Sequence, residues 1–214
     1  MQSQPSTERR AHYQRRALAL EYGTIGWNVG EAVLTIALGA IASSLALIGF
    51  GTVSVVEVFA SLVVVWHLRQ STDADAAENR TARAHRLVAL AFAVLTAAVS
   101  VAAIRDLATG RRPGESPWGI AYLALTAVVM FGLATAKGRL ADRLDSSPLR
   151  SEAKMTFLDG ALSTATMVGL LLNALAGWWW ADPSAALVVA LAAANEAREN
   201  WEEAAQLASD ARAG

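Results

Sequence analysis

The chain has 214 residues, of which 54% are hydrophobic and 17% are charged, and its formal net charge is −1. Soluble domains carry about 25% charged residues, so this composition indicates a membrane protein, and the balanced charge does not indicate a nucleic-acid partner. The sequence contains no cysteine, which excludes disulfides, thiolate metal ligands and cysteine nucleophiles.

Six apolar runs follow one another along the chain, each of roughly the twenty residues that cross a bilayer as a helix. They cover residues 22–42, 45–68, 85–104, 118–136, 152–176 and 183–197. Only "ASS" separates the first two runs, which predicts a tight hairpin between them. At the start of the sixth run, Asp182 is the predicted N-cap and Pro183 fits the first turn of the helix. The predicted fold class is therefore an all-α membrane protein with six transmembrane helices.

The polar segments predict the domain organisation and the orientation. Residues 1–21 form a basic N-terminal arm, 22–198 the transmembrane domain, and 199–214 a short helical tail. With the N-terminus inside, 15 Lys and Arg residues fall on the inner side and 3 on the outer side. Positive charge favours the cytoplasmic side of a membrane, so both termini are expected to be cytoplasmic. The expected location is a bacterial cytoplasmic membrane, with the chain as a multi-pass integral protein.

Polar residues recur at helical spacing on three of the six spans. The first span carries Thr24, Asn28, Glu31 and Thr35; the second carries Ser54, Glu57 and Ser61; the fifth carries Glu152, Thr156, Asp159, Ser163 and Thr166. Steps of three and four residues place each set on one face of its helix. The third, fourth and sixth spans show no comparable pattern and are expected to form the wall of the bundle.

Each polar face carries a carboxylate near its centre: Glu31, Glu57 and Asp159. An ionised carboxylate in a bilayer costs roughly 3 kcal/mol on the lower insertion scales, so something has to compensate these charges. If the three faces meet, the carboxylates cannot all stay ionised and some hold protons. A divalent cation would relieve the same repulsion and displace those protons. The pattern therefore predicts a site that exchanges metal for protons, with no cofactor other than the transported ion.

Structural explanations compete with this functional one. Hydroxyl and small residues also form packing faces between membrane helices, and the hydroxyls alone favour packing. Lys154 offers a salt-bridge partner for Asp159, although it lies five residues away rather than three or four. His67 and His85 fall near cytoplasmic segments and are expected to be solvated rather than to bind metal. The sequence contains no nucleophile–base pair or nucleotide motif, so an enzyme has little support.

Three stretches together carry a resemblance to a known family. They are "GFGTVSVVEVFASLVVVWHLR", "SEAKMTFLDGALS" and "LLNALAGWWWADPSAAL". With the order of the spans, they resemble the membrane domain of the cation diffusion facilitators, the cation efflux family. The resemblance implies a homodimer in the lipid bilayer that exports zinc or manganese in exchange for protons.

The resemblance also implies a ligand set. In that family the second and fifth helices each offer two ligands four residues apart, and these positions fall on Val53 and Glu57, and on Met155 and Asp159. Valine cannot bind metal, and the thioether of methionine is a soft, weak donor. Glu31 and Asn28 could complete the site directly, or Ser54 and Thr156 through water.

The predicted metal site is Glu57, Asp159, Glu31 and Asn28, with Ser54, Thr156 and Met155 as accessory residues. The leading interpretation is a secondary transporter that exports divalent cations in exchange for protons. The alternative is a membrane scaffold or regulator that keeps the cation-efflux fold with a degraded metal site.

Overall fold

A computed structural model describes residues 7–41, 45–69, 74–110 and 117–213. Its elements in chain order are the helices Thr7–Ile41 (α1), Leu45–Arg69 (α2), Ala74–Thr109 (α3), Pro117–Leu144 (α4), Ser147–Ala176 (α5) and Ala181–Ala213 (α6). The prediction of an all-α fold with six helices is confirmed. The predicted hairpin at residues 42–44 lies outside the described residues, although α1 and α2 do pack against each other.

The helices extend beyond the apolar runs that identified them. α1 begins at Thr7 and α6 continues to Ala213, so the basic arm and the polar tail are continuous with the first and last helices. Within the described residues, four helices contain stretches long and apolar enough to cross a membrane: Gly51–Arg69 of α2, Asn79–Thr109 of α3, Ile120–Leu144 of α4 and Ser147–Ala176 of α5. The crossing of the bilayer by α1 and α6 stays a prediction, as does the cytoplasmic position of the termini.

α2 and α5 lie at the centre of the bundle. α2 contacts α1, α3 and α5, and α5 contacts α2, α3, α4 and α6. On one side of this central pair lie α1 and α4, which contact each other, and on the other side lie α3 and α6. α2 and α5 therefore each have two buried faces that meet different neighbours.

The face that meets α3 and α6 is apolar. Its core includes Val53 and Val63 of α2, Phe92 of α3, Leu158 of α5 and Ala190 of α6. Alanines are frequent here on α3 and α6, and small side chains let helix backbones approach closely. Because lipid is as apolar as these side chains, close packing rather than water exclusion holds this half of the bundle together.

The junction of α5 and α6 corrects one local prediction. α5 ends at Ala176 and is capped by Gly177, which has a left-handed φ of 70°. The carbonyl of Trp180 accepts the first hydrogen bond of α6, from the N–H of Ser184. Trp180 is thus the N-cap, and the prediction that Asp182 caps this helix was wrong by two residues. Pro183 lies in the first turn, as predicted.

Two further side chains differ from expectation at the end of the bundle that holds the α4–α5 turn. Lys154 forms ion pairs with Glu196 at 2.8 Å and Glu199 at 3.4 Å, so it does not serve as the partner of Asp159. A hydrogen bond from Asn195 and the charge of Lys154 hold the pKa of Glu199 below its usual range. His85 is fully buried rather than solvated, because it is packed inside the α3–α6 pair.

Candidate cation site

The polar faces of α2 and α5 meet α1 and α4, on the side of the bundle opposite the apolar core. Together they form one buried polar seam, which consists of Glu21, Asn28, Glu31, Ser54, Glu57, Ser61, Tyr122, Lys137, Glu152, Thr156 and Asp159. The prediction that three polar faces converge is supported, and α4 contributes two further polar residues that the sequence pattern did not predict. The side chain of Thr35 lies outside the described residues.

The centre of the seam joins α1 to α2. Glu57 is 1% exposed, and its Oε2 accepts a hydrogen bond of 2.7 Å from Nδ2 of Asn28. Oε1 of Glu57 and Oδ1 of Asn28 have no hydrogen-bond partner among the described residues. Two oxygen acceptors from neighbouring helices are therefore buried with unused lone pairs, which suits a bound cation.

Glu31 lies one turn along α1 from Asn28 and is 4% exposed. Its Oε2 accepts a hydrogen bond of 3.0 Å from the hydroxyl of Ser54, and its Oε1 accepts one from the hydroxyl of Tyr122. These donors come from α2 and α4, so Glu31 connects three helices. Ser54 thus lies beside Glu31, as an accessory position would require.

Asp159 of α5 completes the set of three carboxylates. It is buried, and its Oδ2 has no hydrogen-bond partner among the described residues. It lies close enough to Glu57 on α2 and to Glu31 on α1 for the charges to interact. Three carboxylates from three different helices therefore share one buried region.

A second group of polar side chains lies in the same seam. It contains three charged residues and two hydroxyl residues, and we call it the inner cluster: Glu21, Ser61, Lys137, Glu152 and Thr156. The ammonium of Lys137 is 2.7 Å from Oε1 of Glu152 and 3.3 Å from Oε2 of Glu21. All three charged side chains are essentially inaccessible to solvent. The hydroxyl of Thr156 bonds to both Glu152 and Lys137, which places this predicted accessory residue in the inner cluster.

The sequence analysis missed Glu21 and Lys137 as site residues. Lys137 follows an apolar run and opens a basic stretch, so it was counted as a loop charge, whereas α4 continues to Leu144 and buries it. Glu21 had a usable signal, because it lies three residues before Thr24 and extends the polar face of α1 by one turn. Nothing in the sequence pairs α4 with this face.

The seam carries more negative than positive charge. It holds five buried carboxyl groups (Glu21, Glu31, Glu57, Glu152 and Asp159) and one buried lysine. If all were ionised, four negative charges would stay uncompensated in a low-dielectric region, which is strongly unfavourable. Bound protons or bound cations have to supply the balance, so the seam is chemically able to hold either.

Two of the four ligand positions that the family resemblance implies lie outside the seam. Val53 and Met155 are buried in the apolar core that faces α3 and α6. Val53 also lines a cavity of about 160 Å³ between α2, α3, α5 and α6, together with Thr166 and Asp182. The structure therefore brings Glu57, Asp159, Glu31 and Asn28 into one seam, and it surrounds Met155 with apolar side chains.

No three His, Asp or Glu side chains of the described residues stand in an arrangement that could hold a metal ion directly. Any metal held at Glu57 and Asp159 needs neutral oxygen donors or water to complete its shell. Asn28 Oδ1 is such a donor, since it is buried and free of hydrogen bonds within the described chain. The four-residue ligand set stays a prediction.

A helical bundle with apolar spans and a buried, carboxylate-rich seam is that of an integral membrane protein. The family model for the cation efflux transmembrane domain matches residues 24–207. The chain therefore belongs to the cation efflux family, a family of membrane transporters. Among curated proteins, none matches the sequence.

Proposed function

We propose that this protein exports divalent metal cations across the cytoplasmic membrane in exchange for protons. The observation that carries the proposal is that Glu31, Glu57 and Asp159, which come from three different helices, are all buried in the polar seam. Packing alone gives no reason to bury three carboxylates of different helices together. A site that alternates between a cation and protons gives one, because either ligand compensates the charge.

The chemistry of the proposed ligand atoms indicates which metal ion the site favours. The proposed ligands Glu57, Asp159, Glu31 and Asn28 offer only oxygen. Oxygen ligands favour hard ions such as Mn²⁺, whereas Zn²⁺ prefers nitrogen and sulfur. Membership of the cation efflux family is consistent with zinc as well. We therefore propose manganese or zinc as the ion, protons as the counter-ion, and a homodimer as the assembly.

The transport cycle assigns these side chains two alternating states. With metal bound, Glu57 and Asp159 are ionised and compensate the ion, with Glu31 and Asn28 assisting. With metal released, the same carboxyl groups carry protons back. Alternating access of the seam to the two sides of the membrane then couples the two flows.

The alternative function is a non-transporting membrane scaffold or regulator. One specific observation favours it: Val53 and Met155, at two of the four family ligand positions, are buried in the apolar core. A chain that no longer transports would be free to lose ligands there while its bundle stays intact.

Proton flux from purified protein in liposomes separates the two functions. The vesicles contain a pH-sensitive dye, and Mn²⁺, Zn²⁺, Mg²⁺ or Ca²⁺ is added outside. A transporter produces proton release that depends on the added ion and saturates with its concentration. If folded, correctly inserted protein gives no flux with any of these ions, the scaffold function replaces the transport proposal.

A further inference from the structure

The inner cluster holds a cation that belongs to the protein itself. Nζ of Lys137 lies 2.7 and 2.8 Å from the two carboxylate oxygens of Glu152 and 3.3 Å from Oε2 of Glu21. The relative exposure of these side chains is 0% for Lys137, 1% for Glu152 and 0% for Glu21. Because solvent does not reach the ammonium group, the carboxylates replace its hydration.

Neutral oxygens complete the surroundings of this ammonium. The hydroxyl of Ser61 donates a hydrogen bond of 3.0 Å to Oε1 of Glu152, and that of Thr156 lies 3.3 Å from the Lys137 nitrogen. Oε1 of Glu21 has no hydrogen-bond partner among the described residues. Oxygen atoms from α1 and α5 thus contact one cation that reaches in from α4, and Ser61 of α2 holds Glu152 in place beside it. Carboxylates and hydroxyls are the donors that hard divalent cations prefer.

The inner cluster lies at one end of the seam. Ser61 follows Glu57 by four residues on α2, whereas Glu152 precedes Asp159 by seven residues on α5. α2 runs antiparallel to α1, as the Asn28–Glu57 and Ser54–Glu31 hydrogen bonds show, and α5 runs parallel to α1. Relative to Glu57 and Asp159, Ser61 and Glu152 therefore both lie toward the same end of the bundle, where α4 turns into α5.

We propose that Glu21, Glu152, Ser61 and Thr156 form a second binding site for a divalent cation, in which the Lys137 ammonium takes the place of the ion. A lysine ammonium and a divalent ion compete for the same oxygens, and the flexible lysine side chain can leave without backbone movement. An ion that moves along the seam from the α4–α5 end displaces Lys137 from Glu152. As a step in transport this rests on the proposed function, whereas the binding site itself is testable without it.

The test counts Mn²⁺ ions bound by purified protein in detergent, from the resonance signal of the free ion. An Asp159→Asn background removes the proposed main site. In that background we expect one Mn²⁺ per chain to bind much more weakly with Lys137 present than after Lys137→Gln, because the ion then has to displace the ammonium group. Lys137→Arg keeps the positive charge and should bind Mn²⁺ as weakly as the protein with Lys137. Adding Glu152→Gln to Lys137→Gln should abolish the new site.

Two results overturn the second site: no Mn²⁺ bound after Lys137→Gln, or Mn²⁺ that persists when Glu152→Gln is added. Failure of the transport proposal gives a different result. In that case Asp159→Asn does not change the Mn²⁺ count of the otherwise unchanged protein, while Lys137→Gln still adds one ion.

Stability provides a second measurement in the same Asp159→Asn background, because Lys137→Gln leaves Glu21 and Glu152 without their cation. We expect its melting temperature to fall in the absence of Mn²⁺ and to recover in its presence, since a ligand of the folded form stabilises it. The Lys137→Gln/Glu152→Gln companion carries one carboxylate fewer and should melt at the same temperature with or without Mn²⁺. If Mn²⁺ does not stabilise Lys137→Gln while the companion folds, the second site is refuted.

Discussion

Nδ2 of Asn28 donates a hydrogen bond of 2.7 Å to Oε2 of Glu57, and the two residues connect α1 to α2 at the centre of the polar seam. The direction of this bond turns the amide oxygen of Asn28 away from the carboxylate. Oδ1 of Asn28 and Oε1 of Glu57 are then two buried acceptors without partners among the described residues. One residue therefore both orients the carboxylate and offers a further oxygen to an ion.

The first prediction follows for Asn28→Leu, which removes the donor and the spare oxygen while keeping the volume. We expect the metal affinity to fall by about 10- to 100-fold, the usual effect of losing a side chain that orients a ligand. Metal titration of the purified protein measures it. Thr24→Val is the matched control, because the hydroxyl of Thr24 bonds within its own helix, to Leu20. Equal losses in both variants would mean that only the packing of α1 matters.

The second prediction concerns Asp159→Asn, which keeps size and hydrogen bonding but removes the charge. We expect metal uptake into inverted vesicles to be lost with the protein still folded, because neutral amides do not compensate a divalent ion. Ser163→Ala, one turn further along α5, should retain uptake. Normal transport by Asp159→Asn would show that Asp159 is a packing residue and would contradict the proposed exchange site.

Helical spacing predicted the residues of the seam on α2 and α5 and all but Glu21 on α1, since the helical period alone fixes which side chains share a face. It was not sufficient to predict what those faces meet. Tyr122 and Lys137 stand singly on α4 without a polar period, and they join the seam only because α4 packs against α1 and α5. The same limit explains Val53, whose four-residue spacing from Glu57 did not reveal that it contacts the apolar core. Neighbouring helices are a property of packing, which periodicity does not encode.

The third prediction tests the close approach of α5 and α6. A Cβ added at Gly169 would lie 2.3 Å from Cβ of Asp182 and 2.6 Å from its Cα. Because backbone atoms cannot move aside as a flexible side chain does, Gly169→Ala should lower the free energy of unfolding by about 1–3 kcal/mol. Gly132→Ala is the control, since its added Cβ meets nothing within 4 Å. Thermal unfolding in detergent compares the two, and equal melting temperatures would contradict this packing.

The fourth prediction concerns orientation. Burial of Lys137 removes it from the loop charges, which leaves 14 inner against 3 outer, so the expectation of cytoplasmic termini is kept. The chain has no cysteine of its own, so single cysteines report cleanly. Cysteines at Asp75 and Asp145 should resist an impermeant thiol reagent in intact cells, and one at position 114, outside the described residues, should react. Labelling at position 75 would refute the six-span topology.

The last prediction concerns Val53→Asp, which restores a carboxylate at a family ligand position. Val53 lies one turn before Glu57 and lines the 160 Å³ cavity, so the new carboxylate has space and a carboxylate neighbour at the i+4 position. Without metal, the added charge should lower the melting temperature, because another carboxylate then lies in a low-dielectric region.

Bound metal should reverse that loss, since an ion that binds only the folded form stabilises it. The measurement is thermal unfolding of the unaltered protein, Val53→Asp and Val53→Asn, with and without Zn²⁺ or Mn²⁺. Val53→Asn has nearly the same size without the charge, so it separates electrostatics from packing. We expect the largest metal-induced rise in Val53→Asp. If all three proteins show equal rises, position 53 does not share an ion with Glu57, because its side chain then stays on the apolar side of α2 that faces α3 and α6.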